Sequence, residues 1–208
     1  MKIKVCGLKD AVNIDEVAGL APDFMGFICY DRTPRYIADM SPEALKNVHE
    51  AIIKTGVFVN ETEENVRKAI DRFGFDAIQL HGNESPVFCA EFKGEVVVIK
   101  AFGVDDSFDF NQLIRYKNVV DYFMFDTKTD KHGGSGQTFN WKILDRYTLN
   151  VPFFLSGGLS LDNLAEIKQI EHPAFYAVDL NSRFETAPGM KDINRLNEAF
   201  EILRWNTE

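Results

Sequence analysis

Four groups in this chain have side chains or backbone suited to moving a proton or cradling an anion: Cys6, Asp126, Ser156-Gly157-Gly158 and Asn181-Ser182. Each closes a short apolar run. A strand that stops in a polar or glycine residue presents that residue at its carboxyl end, and in a barrel of parallel strands all those ends open on one face. Groups scattered through the sequence then meet in space. Asp126 follows Tyr122-Phe123-Met124-Phe125, and apolar surroundings favour the neutral carboxyl that a general acid needs near neutral pH. Taken alone it reads equally as an N-cap or a loop salt bridge. Cys6 is a base only as thiolate, and a lone strand-end cysteine is more often a small buried hydrophobe. A surrounding site is what makes it a candidate.

Barrel enzymes often hold phosphate with backbone N–H groups of the loops after strands seven and eight. Those loops are here Ser156-Gly157-Gly158-Leu159-Ser160 and Asp179-Leu180-Asn181-Ser182-Arg183. An isolated Gly-Gly reads as a tight turn, but cradles at both loops favour phosphate. Arg35, after Thr33-Pro34, has a guanidinium that could take a carboxylate bidentately, against the commoner solvated arginine. His81 closes Gln79-Leu80-His81-Gly82 as a ligand contact or a satisfied strand-end histidine. The remaining histidines, His49, His132 and His172, show no metal-ligand spacing, so no metal is expected.

The elements that would position these groups are eight β-rich runs, at 3–7, 24–29, 55–60, 77–82, 96–102, 122–126, 152–158 and 175–181. Several are continuously apolar, as in Val96-Val97-Val98-Ile99, which marks parallel strands buried on both faces. Between them lie helix starts: Ser41-Pro42 ahead of Leu45, Val48 and Ile52; Thr62 ahead of Val66, Ala69, Ile70 and Phe73; Ser85-Pro86; Ser160; and Asp192. Strand starts fall roughly 20 to 30 residues apart, the size of a βαβ unit. The fold expected is α/β, a single (β/α)₈ TIM barrel forming one catalytic domain over residues 1–208, near the roughly 200-residue lower end of its range. An open doubly wound sheet would need a Gly-x-Gly-x-x-Gly turn after the first strand, and Cys6-Gly7-Leu8-Lys9-Asp10 is not one.

A hydrophobic fraction of 45% supplies a core, with 18 phenylalanines in it. The net charge of −9, with no basic cluster, argues against nucleic acid or an anionic membrane as partner and leaves a small anionic ligand open. Met1 leads at once into a strand-like run, no apolar stretch has the length of a membrane span, and three widely spaced cysteines suit a reducing compartment. A cytoplasmic location is expected.

In order, Lys4-Val5-Cys6-Gly7-Leu8, Thr33-Pro34-Arg35-Tyr36, Gly56-Val57-Phe58-Val59-Asn60, Gln79-Leu80-His81-Gly82, Asp126-Thr127, Gly133-Gly134-Ser135-Gly136, Leu155-Ser156-Gly157-Gly158-Leu159 and Pro188-Gly189-Met190-Lys191-Asp192 resemble phosphoribosylanthranilate isomerase of tryptophan biosynthesis. The resemblance implies an Amadori rearrangement of a small phosphosugar substrate, N-(5-phosphoribosyl)anthranilate, with no cofactor. It makes Asp126 the general acid and Cys6 the general base. It places Arg35 at the anthranilate end, His81 and Asp179 on the substrate, and Gly157, Gly158 and Ser182 on the phosphate. It also implies a Gly133–Gly136 lid. The family pattern after strand eight, Asp-Val-Ser-Ser-Gly-Val-Glu, is here Asp179-Leu180-Asn181-Ser182-Arg183-Phe184-Glu185. Arg183 in the glycine place is expected to bind phosphate through its N–H at negative φ and through its guanidinium.

Other phosphosugar barrels compete. Indole-glycerol-phosphate synthase would want a catalytic lysine at a strand end, and Lys100 inside strand five invites that reading although no Lys or Glu set supports it; a pentose-phosphate epimerase would want a cluster of metal-binding histidines and aspartates. A silent phospho-ligand binder on the same fold is a third alternative. Either a monomer or a homodimer fits, with Phe184 and Trp205 as aromatics for a dimer patch.

Overall fold

The structure is a computed structural model describing residues 1–128 and 138–204. All eight expected strands form: β1 Lys2–Cys6, β2 Phe24–Ile28, β3 Ile53–Phe58, β4 Ala77–Leu80, β5 Val97–Val104, β6 Tyr122–Thr127, β7 Phe153–Leu155 and β8 Phe175–Leu180. They pair in parallel in sequence order, and β1 pairs with β8 to close the barrel. Closure leaves no free edge and excludes the doubly wound sheet. The Gly133–Gly136 run and Trp205 lie outside the described residues.

Side chains alternate along each strand. Outward residues such as Ile3, Val5, Phe123, Phe125, Phe153 and Leu155 pack against the surrounding helices and turns in the main core. Inward residues at the lower end, Phe24, Ile99, Ala101, Met124, Phe154 and Ala177, form a separate plug inside the barrel. Two residues further along the same strands come Gly26, Asp126, Ser156 and Asp179. The period of two therefore stacks a polar layer directly on an apolar one, at the carboxyl end.

The outer layer departs more from expectation. Among the described residues five α-helices form: α1 Ala11–Gly19, α2 Glu63–Phe73, α3 Pro86–Ala90, α4 Leu164–Ile167 and α5 Ile193–Arg204. Thr62, Ser85 and Asp192 cap α2, α3 and α5 as expected, accepting from the N–H groups of Asn65, Phe88 and Arg195. After β2 the expected helix is only a 3₁₀ turn, Pro42–Leu45. The His49 ring nitrogen takes the N–H of Ala51, a local bond that competes with helix propagation. Leu45, Val48 and Ile52 are buried all the same. After β5 and β6 the connections are 3₁₀ segments, Phe110–Tyr116 and Trp141–Arg146. Ser160 does not start a helix: α4 begins four residues later, and the Ser160 N–H is held by Asn163 Oδ1. An unanticipated hairpin, β9 Glu185–Ala187 with β10 Met190–Lys191, lies between β8 and α5. Phe184 is fully buried and offers nothing to a dimer patch.

Candidate active site

Strands β1, β4, β6 and β8 and the loops after β2, β4, β7 and β8 send polar or reactive groups into one cavity of about 100 Å³ at the carboxyl end, lined by Cys6, Thr33, Gln79, His81, Asp126, Ser156, Asp179 and Asn181. Ile28, Tyr30, Val57 and Val59 form its apolar wall. Of the residues predicted from sequence, Cys6, His81, Asp126 and Asp179 meet here.

Cys6 is buried, opposite Gly26 in the β1–β2 register. A Cβ at position 26 would lie 2.6 Å from Cys6 Sγ, so glycine is what leaves room for the thiol. Burial pushes the Cys6 thiol above its ordinary value; the Lys4 ammonium opposes this, Asp179 reinforces it and Lys191 weakly opposes it. Lys4, two residues below on the same inward face, is completely buried, with Nζ 2.8 Å from Asp179 Oδ1. Burial alone would push that ammonium down, but Asp179 and Cys6 outweigh it and hold it above its usual value. Ser156 Oγ donates to the other oxygen of Asp179 at 3.3 Å.

Asp126, next to last in β6, is half-buried, its Oδ1 accepting the Thr127 N–H at 2.8 Å. His81 Nε2 lies 3.3 Å from Asp126 Oδ2, while His81 Nδ1 meets the Gln79 amide nitrogen at 2.9 Å. Gly157 and Gly158 both have positive φ, 89° and 66°. A side chain at 157 would strike Thr127 and Asp126 Oδ1, so the glycine lets the loop after β7 lie against the carboxylate.

Beside this cavity opens a wider polar one of about 570 Å³, lined by Thr138, Gly158, Ser160, Asp162, Asn163, Arg183 and Arg195. Asn163 steadies its floor by donating to the Gly158 carbonyl. Arg183 is in the 3₁₀ turn Ser182–Phe184, and among the described residues Ala21 and Asn60 are the non-glycine residues at positive φ. Arginine in the glycine place is therefore unstrained. Arg195, on α5, was not anticipated, because it sits on an otherwise ordinary amphipathic helix.

Arg35 is placed differently from the free guanidinium expected. Its Nε and Nη2 grip the Glu185 carboxylate at 2.5–3.1 Å, and it passes over Gly7. Glu185 also takes the Lys191 ammonium at 2.7 Å and the Gly189 N–H. Burial would raise the Glu185 carboxyl, but Arg35 and Lys191 override it and hold it below its ordinary value. Lys191 further donates to Asn181 Oδ1 at 2.8 Å, tying the hairpin to the cavity wall. Its backbone is clamped by Asn13, which bonds both its N–H and its carbonyl. Sequence reasoning passed over Lys4, Gln79, Glu185 and Lys191. For Lys4 and Gln79 the available signal was a polar residue in phase with Cys6 or His81 inside an apolar strand. For Glu185 and Lys191 no local signal exists.

Lys100 is spoken for: Nζ donates to the carbonyls of Leu80, Gly82 and Ala101 and pairs with Glu84 at 3.2 Å. That fixes the β4 loop and commits Lys100 to a structural role. Among the described residues, no group of three or more His, Cys, Asp or Glu side chains could hold a metal ion, and no helix is long and apolar enough to cross a membrane.

Residues 3–202 match the family model described as N-(5′-phosphoribosyl)anthranilate (PRA) isomerase. The N-(5′-phosphoribosyl)anthranilate isomerase of Parabacteroides distasonis is 43% identical over 199 residues, 94% of this chain and 90% of the relative. The crystal structure of phosphoribosyl anthranilate isomerase from Thermotoga maritima superposes with a TM-score of 0.82 at 30% identity over 98% of both chains. A phosphoribosyl anthranilate isomerase in complex with reduced 1-(o-carboxyphenylamino)-1-deoxyribulose 5-phosphate superposes at 0.79 with 27% identity, again over 98% of both.

Proposed function

The chain belongs to the N-(5′-phosphoribosyl)anthranilate isomerase family, and from that premise we propose that Asp126 and Cys6 are the two proton carriers of its reaction. The enzyme converts N-(5-phosphoribosyl)anthranilate to 1-(2-carboxyphenylamino)-1-deoxyribulose 5-phosphate in L-tryptophan biosynthesis. Asp126 protonates the furanose ring oxygen, and the C1′–O bond opens to a Schiff base. Cys6, as thiolate, takes the C2′ proton, and the resulting enolamine tautomerises to the ketone. One carbon is oxidised as its neighbour is reduced, so the rearrangement is internally balanced and calls for no external oxidant or cofactor. The observation that carries this reading is that Cys6 on β1 and Asp126 on β6 line one cavity from separate strands, placed to flank a sugar. Burial holds the Cys6 thiol above its ordinary value, and the Lys4 and Lys191 ammonium groups offset part of that rise.

Around that centre, Asp179, pinned by Lys4 and Ser156, faces a sugar hydroxyl, and His81 contacts the substrate beside Asp126. Gly157, Gly158, Ser182 and Arg183 hold the phosphate in the wider polar cavity. Arg35 contacts the anthranilate end through the edge of the guanidinium that Glu185 leaves open. Residues 1–208 act as one catalytic domain, as a monomer or homodimer in the cytoplasm, with neither nucleic acid nor membrane as partner.

The test is to supply phosphoribosylanthranilate generated in situ and follow the loss of its fluorescence. Turnover abolished by Asp126→Asn and strongly reduced by Cys6→Ser is expected. Undiminished turnover in either variant would remove that residue from its role, and binding without turnover in the parent protein would favour a silent binder.

A further inference from the structure

We propose that Gln79 is a positioning residue for this reaction: its amide nitrogen fixes His81 in the Nε2–H tautomer, so that His81 donates to Asp126 and the acidic proton of Asp126 is turned toward the cavity. The inference rests on the reading of Asp126 as the general acid.

Gln79 is 1% exposed and lies two residues before His81 on the inward face of β4. Its Nε2 stands 2.9 Å from His81 Nδ1. An amide nitrogen only donates, so Nδ1 must accept, and the proton of a neutral imidazole is left on Nε2. Nε2 faces Asp126 Oδ2 at 3.3 Å, while Oδ1 already accepts the Thr127 N–H at 2.8 Å. Oδ1 thus has one lone pair engaged by the Thr127 N–H, and Oδ2 faces the ring nitrogen across 3.3 Å. A proton on Asp126 is confined to the remaining lobes, away from the ring and the Thr127 backbone, and the carboxylate left after transfer keeps both donors.

The Gln79 amide also has an unmet partner. Its Oε1 is buried without a hydrogen bond, an unfavourable arrangement. Turning the amide over would give Oε1 a partner in a protonated Nδ1 and would force the opposite tautomer. His81 would then present a bare Nε2 to Asp126 and draw the acidic proton onto the ring, out of reach of substrate.

The chain has four histidines, so ¹⁵N spectra of histidine-labelled protein can be assigned by comparison with His81→Gln. The expected spectrum has His81 Nδ1 as the bare nitrogen and Nε2 protonated. Gln79→Glu places an acceptor-only group at Nδ1. It should reverse that pattern and lower kcat about a hundredfold, within the range for general acid catalysis, with KM little changed. Gln79→Met, which neither donates nor accepts strongly, should fall between. A parent spectrum with Nδ1 protonated overturns the proposal, as does an unchanged kcat in folded Gln79→Glu or a loss confined to KM. If the variants fail to fold, the parent spectrum alone decides. Should Asp126→Asn retain turnover, it is the general-acid reading that fails, whatever tautomer the spectrum reports.

Discussion

Gly26→Ala is the sharpest perturbation of the proposed base, because it acts on the thiol's position while leaving Cys6 itself unchanged. An alanine Cβ built at this position lies 2.6 Å from Cys6 Sγ and 3.1 Å from both Cys6 Cα and Cβ. Unstrained contacts begin at about 3.5 Å, so the thiol must retreat by roughly 1 Å. Backbone relief is small, since β1 and β2 are locked in register at Lys4↔Phe24, Val5↔Met25 and Cys6↔Gly26. Overpacking of this kind costs about 1–3 kcal/mol of stability. A reacting group displaced by about 1 Å loses about a hundredfold in rate, equivalent to roughly 2.7 kcal/mol on the barrier. The assay is steady-state turnover of phosphoribosylanthranilate by fluorescence, alongside Tm and the rate of Cys6 alkylation. The expected outcome is a folded protein with kcat down about a hundredfold and a smaller change in KM, because the displaced group is the one proposed to move the proton. A kcat within twofold of the parent in folded protein would refute the argument that the position of Sγ controls the rate.

Other outcomes follow from the same geometry. Arg183→Gly should raise KM with little change in kcat if the guanidinium holds phosphate in the polar cavity; an unchanged KM would assign the side chain no part in binding. Glu185 carries a carboxyl held below its ordinary 4.5, so the folded state binds fewer protons there than the unfolded chain. Its contribution to stability is complete above about pH 4.5 and is lost as pH falls through the lower folded value. Glu185→Gln should accordingly lower Tm at pH 7 and flatten the acid limb of Tm against pH; an acid limb as steep as the parent's would assign the loss to other groups. Gly19→Ala, at the end of α1 where an added Cβ meets nothing within 4 Å, should raise stability by about 0.4–1 kcal/mol in denaturant unfolding, with activity unchanged.

The sequence by itself determined the eight strands and the face on which their ends open. Apolar runs that stop in Cys6, His81, Asp126, Ser156 and Asp179 carry their own address, because a period of two puts Asp126, Ser156 and Asp179 above the inward apolar Met124, Phe154 and Ala177. Helix caps at Thr62, Ser85 and Asp192 were equally legible, since capping is settled within four residues. The outer connections were less so. Leu45, Val48 and Ile52 bury as their spacing required, yet a local histidine bond and packing against the barrel replaced the helix by a 3₁₀ turn. What only the tertiary structure decided is the charge network. Arg35 and Glu185 are 150 residues apart, Lys4 and Asp179 are 175 apart, and Asn13 clamps Lys191 from 178 residues away. No spacing rule links such pairs. Closure of β1 on β8 brings them within reach, and the low dielectric of the barrel mouth then makes an unpaired charge costly enough that each must find its partner.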